Sequence, residues 1–179
     1  MFHISEIFKV APAQFTTQLQ EEVYKVLGQL KIPFERVETD EAISMDDCVL
    51  INEKLNMKMV KTLFLCNKKK TLFYLFVTTG EKPFDTKRFC ETLGISRVSF
   101  APKELFEEIL RTKIGAATVF STLADWEKTI QVIFDQDVAD NEYYGCSDGT
   151  TTGYMKVKTD DILKVLLPYS KHTCKIIKF

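Results

Sequence analysis

Two apolar runs lie almost back to back near the middle of the chain. Lys61 to Cys66 reads KTLFLC, and Thr71 to Thr79 reads TLFYLFVTT. Only Asn67, Lys68, Lys69 and Lys70 separate them. Two β-prone runs joined by a short polar turn predict an antiparallel hairpin. A strand with one wet face alternates apolar and polar residues, and these runs are close to continuously apolar. They therefore predict central strands covered on both faces, which requires further layers on either side. The lysine-rich turn has two readings: an RNA-backbone contact, or the plainer one of a solvated hairpin tip.

The rest of the chain supplies those layers. Leu19, Val23, Val26, Leu27 and Leu30 make one helical face over 16–31, and Pro33 helps to end it. Phe34 to Glu38 is a strand candidate. Ser44 stands three residues before Asp47, a capping-box variant that opens a helix over 45–55. A helix over 86–93 closes at Gly94, and Arg97 to Phe100 is a short strand. Pro102 suits a first helical position before Leu105, Phe106, Ile109 and Leu110. Ile114 to Thr122 reads as a loop, or as a strand entered through a tight turn. Thr129 to Asp135 alternates as a strand does, 139–153 is polar and turn-rich, and Tyr154 to Lys158 is a strand candidate. Thr159 is placed to cap a final helix that Pro168 ends, and Cys174 to Phe179 suits an edge strand. Interspersed helices and hairpin-linked strands give an α/β (α+β) fold, a mixed sheet flanked by helices, in one domain over 1–179.

Composition narrows the function. The chain has 179 residues, 45% of them apolar, which is enough for one core without staples. A net charge of -1 argues against indiscriminate nucleic-acid binding and leaves room for a local basic patch. No stretch reaches the roughly 18 apolar residues of a membrane helix, so a cytoplasmic protein with no membrane partner is expected. Cys48, Cys66, Cys90, Cys146 and Cys174 are scattered without a C-x-x-C pair, as reduced thiols are. His3 and His172 are the only histidines, so neither a zinc cluster nor a histidine base is expected. There is no P-loop, no G-x-G-x-x-G and no G-x-S-x-G. No cofactor is therefore expected.

What remains is Lys61, at the mouth of the first apolar strand. Its ammonium could hold a phosphate or a developing oxyanion. Equally, its stem could simply snorkel along the sheet edge.

Longer segments bear on that choice. VKTLFLCNKKKTLFYLFV, EKPFDTKRFCETLGISRVSFAPKELFEEIL, IGAATVFSTLAD and TIQVIFDQDV, in that order and spacing, resemble the YbaK/ProX family of aminoacyl-tRNA editing domains. The similarity is greatest to free-standing relatives of the prolyl-tRNA synthetase insertion domain, and it runs from about Phe34 onward. The resemblance implies a mixed, partly barrel-like sheet flanked by helices. It implies hydrolysis of a mischarged aminoacyl-tRNA, such as alanine or cysteine on a proline tRNA, without a metal. The partner would be the tRNA 3′ end, with an aminoacyl-tRNA synthetase as a further candidate.

The family lysine matches Lys61. The family G-x-x-x-P loop matches Gly115, Ala116, Ala117, Thr118 and Val119, with valine in place of proline. The implied pocket lies between the segment from Thr39 to Met45, the Lys61 strand and the Gly115 loop. There the N–H groups of Ala116 and Ala117 would face the oxyanion. Relatives often carry histidine at the position of Thr39. Their C-H-P-C-x-N-T-S stretch corresponds to GCSDGTTTG, which places the histidine at Cys146 and the asparagine at Thr150. These departures are expected to line the pocket, with Cys146 as a wall. They fit a pocket retuned for another amino acid, or a non-catalytic paralogue that binds tRNA or a synthetase.

Overall fold

The computed structural model describes residues 1–42 and 45–179. Ser44, half of the expected capping box, and the side chain of Met45 lie outside the described residues. The two apolar runs pair as expected. Strands β2 (Val60–Asn67) and β3 (Phe73–Thr79) are antiparallel, with Lys61 opposite Thr78 and Phe64 opposite Leu75. They sit inside a five-stranded sheet of order β4-β2-β3-β5-β8. Its other strands are β4 (Val98–Phe100), β5 (Ile130–Asp135) and β8 (Cys174–Ile177). β4 is antiparallel to β2, whereas β5 and β8 run parallel, so the sheet is mixed.

Side chains alternate across the pleat, and each face finds its own core. Phe64, Cys66, Phe73, Leu75 and Val77 join Leu19, Val23 and Leu27 of helix α1 (Gln18–Gln29). Leu65, Tyr74 and Phe76 take the other face with Phe179 and with Phe89 of a helix over 86–93. Local chemistry sets the helix ends. The Thr17 side chain accepts from Gln20 N–H at the start of α1. Asp85 caps Thr86–Leu93, and Gly94 closes that helix in the left-handed region at φ 65°.

A second sheet is three-stranded and antiparallel, of order β1-β7-β6. It contains β1 (Glu35–Glu38), β6 (Tyr143–Ser147) and β7 (Gly153–Lys158). Helix α2 (Met45–Leu55) packs Ile51 and Leu55 on its Val37 and Tyr154. The sheets touch through a parallel bridge between Met59 and Gly145 and do not close into a barrel. Among the described residues, no helix is long and apolar enough to cross a membrane.

Four local expectations change. The turn-rich 139–153 stretch contains strand β6, buried by its pairing with β7. Val119–Ala124 is a 3-10 helix, neither loop nor strand. Lys158, not Thr159, occupies the cap position of the final helix, and the buried Thr159 hydroxyl has no partner among the described residues. Pro168 does not end that helix. It sits inside the last turn, Leu167–Tyr169, after a π-helical stretch, Ile162–Leu166. A wider turn leaves room for a residue with no N–H to donate.

Far from the chain's middle, His172 meets a carboxylate. Its Nε2 lies 2.8 Å from Asp125 Oδ2, and its Nδ1 faces Ser170 Oγ at 3.0 Å. All three residues are buried. Asp125 also accepts from Thr129 N (3.1 Å) and Ile130 N (2.9 Å), so it pins the entry to β5. Burial alone would raise the Asp125 pKa. The hydrogen bonds from His172, Ile130 and Thr129 outweigh it and hold the carboxyl at about 2, against an ordinary 3.8. A depressed carboxyl stabilises the fold above its unfolded pKa, and that contribution fades as pH falls toward the folded value. Urea unfolding between pH 5 and pH 2 is therefore expected to show the wild type losing about 2 kcal/mol more than Asp125→Asn. Parallel pH profiles of the two proteins would contradict it.

Candidate active site

Lys61 is half-buried near the start of β2 and opens onto a cleft of about 980 Å3. One wall is the beginning of β2. A second is the turn after β3, with Lys82 and Pro83. A third is the segment carrying Ile114, Gly115 and Ala117, and Cys146 of β6 also reaches the cleft. The Lys61 ammonium donates to the Lys82 carbonyl. The stem thus runs along the sheet while the head is held by backbone at the cleft wall.

Gly115 has φ 97°, a left-handed conformation that favours glycine, and it is exposed. This turn decides which N–H groups of the loop are available. Ala116 N–H donates to Lys113 O at 3.0 Å, so it is not free to bind an oxyanion as the sequence suggested. Ala116 instead lines a separate groove of about 1090 Å3. Ala117 lines the Lys61 cleft. Among the described residues, the N–H groups of Gly115 and Ala117 donate to no protein acceptor.

The other expected pocket residues are spread more widely. Thr118 is buried, and its hydroxyl faces Phe120 N–H and the Cys146 thiol. Val119 is wholly buried in the main core and not on the cleft wall. Thr39 is buried too, its hydroxyl donating to Asp40 O at 2.6 Å and its N–H to Thr152 O at 2.9 Å. Thr150 lines the other groove with Ala116, and its hydroxyl donates to Asp148 Oδ1 at 2.7 Å. Of Thr39, Val119, Cys146 and Thr150, only Cys146 touches the cleft. Its thiol is pushed well above the ordinary range by burial, with the Thr118 hydroxyl acting weakly the other way. Burial thus favours the protonated thiol, the poorer nucleophile, at the cleft wall.

Two features escaped the sequence. Lys82 shares the cleft with Lys61 and is clamped by Asp135 and Asp137, at 2.8 and 2.7 Å. Asp148 lies wholly buried under the β6–β7 turn, where it accepts from Gln20 Nε2 at 2.8 Å and from Tyr24 OH at 2.9 Å. The signal for Lys82 is a lysine and proline three and four residues past the end of an apolar strand. Asp148 carries none, because its partners are over 120 residues away in sequence. Tyr143 and Tyr144, the β6 neighbours of Cys146, do not line the cleft. Tyr144 is stacked on Phe134 in the core, and Tyr143 is exposed under the Lys156 ammonium.

Known proteins resemble this chain in fold and in sequence. A crystal structure described as a candidate trans-editing enzyme for prolyl tRNA synthetase superposes with a TM-score of 0.65, at 16% identity. That match covers 92% of this chain and 99% of the other. The prolyl-tRNA editing protein ProX of Acetoanaerobium sticklandii is 24% identical over 140 residues, covering 78% of this chain and 85% of that protein. The prolyl-tRNA synthetase associated domain-containing protein 1 of Danio rerio is 24% identical over 172 residues, covering 95% and 90%. The sequence profile of the aminoacyl-tRNA editing domain matches residues 41–165, which include the Lys61 strand, the Gly115 loop and the β6–β7 hairpin. A match over more than half the chain, on the fold its relatives share, places this protein in the family of aminoacyl-tRNA editing domains.

Proposed function

We propose that this chain is a trans-editing hydrolase that cleaves the ester of a mischarged aminoacyl-tRNA in the Lys61 cleft. The substrate class is a small amino acid, such as alanine or cysteine, on a proline-type tRNA. The observation that carries the reading is an open cleft lined by Lys61 and by Gly115 and Ala117, whose N–H groups donate to no acceptor among the described residues. Family membership and the names of the relatives point the same way.

Ester hydrolysis builds negative charge on the carbonyl oxygen as water adds. Donors fixed in advance at that position stabilise the charge without reorganising. In this scheme the N–H groups of Gly115 and Ala117 receive the oxyanion, and Lys61 supplies positive charge beside it or against the terminal phosphate. Water enters from the open side, oriented by the ribose hydroxyl of the substrate. Cys146 and the apolar wall limit the side chain that fits. Shape alone separates neighbouring amino acids by about 1–3 kcal/mol per methylene, so selectivity among small residues is modest.

The test is deacylation of alanyl-, cysteinyl- and seryl-tRNA carrying a proline-type tRNA body. Turnover of at least one of these, with correctly charged prolyl-tRNA spared, is the expected outcome. Tight tRNA binding without turnover of any would replace the hydrolase with a non-catalytic tRNA-binding module.

A further inference from the structure

Among the described residues, no side chain holds Lys61. Its ammonium donates to the backbone carbonyl of Lys82, in the turn that leaves β3. A carbonyl in a turn is only as well placed as the turn itself, and this turn is unusually tied down. Lys82 Nζ reaches back to Asp135 Oδ2 at 2.8 Å, to Asp137 Oδ2 at 2.7 Å and to the Phe179 carbonyl at 2.6 Å. Asp135 is wholly buried at the end of β5. It accepts from the Thr78 hydroxyl at 2.6 Å and from Asp137 N–H at 3.1 Å. Thr78 is the residue paired with Lys61 across the β2–β3 ladder. The clamp therefore closes a loop through three neighbouring strands: β2 carries Lys61, β3 carries Thr78 and the turn, and β5 carries Asp135.

We infer that Lys82 is the positioning residue for Lys61: pinned by Asp135 and Asp137, it fixes the carbonyl that aims the Lys61 ammonium into the cleft. The inference rests on the reading that Lys61 serves the hydrolysis. Two physical consequences follow. A side chain with four rotatable bonds is held at its head, so its entropy is lost before substrate arrives. The two carboxylates also more than offset the positive charge of the second lysine. Left unpaired in the same cleft, it would oppose the positive charge on Lys61. Burial works against the charged form of Lys82, but the hydrogen bonds to Asp135 and Asp137 outweigh it and raise its pKa.

The experiment is a double-mutant cycle on the full chain, read by single-turnover and steady-state deacylation of mischarged tRNA. Misplacing a catalytic group by about 1 Å costs up to about 10²-fold, so Lys82→Met is expected to lower kcat by about 10- to 100-fold with KM nearly unchanged. Lys82→Arg keeps the charge and the clamp, and recovers much of the rate. In a Lys61→Ala background, Lys82→Met changes kcat by no more than about twofold, the margin to which independent effects add, because an effect that passes through Lys61 vanishes with it. Asp137→Asn loosens the clamp through its exposed partner and is the variant to use if Lys82→Met does not fold.

A second measurement needs no turnover. Amine-reactive labelling, mapped by mass spectrometry, is expected to modify Lys61 more slowly than the exposed Lys58 in the wild type. The rate at Lys61 rises in Lys82→Met or Asp137→Asn. Full additivity of the Lys61 and Lys82 effects, or a Lys61 labelling rate indifferent to Lys82, overturns the inference. Wild-type activity in Lys61→Ala overturns the reading of the site instead, while the labelling still decides whether Lys82 places Lys61.

Discussion

Lys61→Ala is expected to slow deacylation by about 10²–10³-fold, the effect of removing one preorganised donor from a site of developing charge, or about 2.7–4 kcal/mol. The fold is expected to survive. Lys61 is half-buried, and among the described residues its head makes one hydrogen bond, to the Lys82 carbonyl. Losing that bond at a wet cleft edge costs about 1 kcal/mol of stability. The alanine leaves the β2–β3 ladder intact, because the pairing of Lys61 with Thr78 is made by backbone. A large rate loss with a melting temperature lowered by only about 2–4 °C therefore separates chemistry from folding. Lys61→Arg is a sharper probe. A planar guanidinium keeps the charge but carries it on a longer, forked head that does not fit a single carbonyl anchor in the same way. Partial activity is expected from it. Equal rates for wild type and Lys61→Ala would remove Lys61 from the mechanism.

Lys61 stood out in the sequence as a charged residue at the head of an apolar strand, and the resemblance to the editing family, not its position, made it a candidate site residue. The same contrast made β2 and β3 legible, with each face of the run matched by a separate core. β6 was hidden for the opposite reason. YYGCS contains a glycine and a serine, and only its pairing with β7 makes four of its five positions buried. Pro168 misled because a rule about regular helices was applied where the preceding turns are π-helical. In the Gly115 loop the error was one of phase. Sequence supplies two adjacent alanines, and only the turn at Gly115 decides that Ala116 N–H goes to Lys113 O while Ala117 faces the cleft. The Lys82 clamp was beyond reach because Asp135 and Phe179 lie 53 and 97 residues away.

The GCSDGTTTG stretch reads differently once folded, and it carries the largest expected effect on stability. Asp148 is wholly buried and is held by Gln20 Nε2, Tyr24 OH, Thr150 N and Thr150 Oγ1, at 2.7 to 3.2 Å. It bolts the β6–β7 turn to helix α1. Thr150 is thus spent on the anchor and not on the cleft, so this departure from the family pattern is architectural. Asp148→Ala leaves the buried amide and phenol without acceptors, each costing about 1–3 kcal/mol, and a loss of about 3–5 kcal/mol in all is expected. Gly153 is fitted to the same carboxylate. A Cβ there would lie 2.2 Å from Asp148 Oδ2 and 2.5 Å from its Cγ. The carboxylate has no slack, because its donors come from the helix on one side and the turn on the other. Gly153→Ala is therefore expected to cost at least about 3 kcal/mol, at the upper end of overpacking. Combining the two makes the argument testable: with Asp148 already truncated, the methyl has room. Gly153→Ala should then cost much less by urea unfolding than it does in the wild type, a coupling well beyond the roughly 0.5 kcal/mol of independent sites. If the two losses simply add, the clash at Asp148 is not what makes residue 153 a glycine.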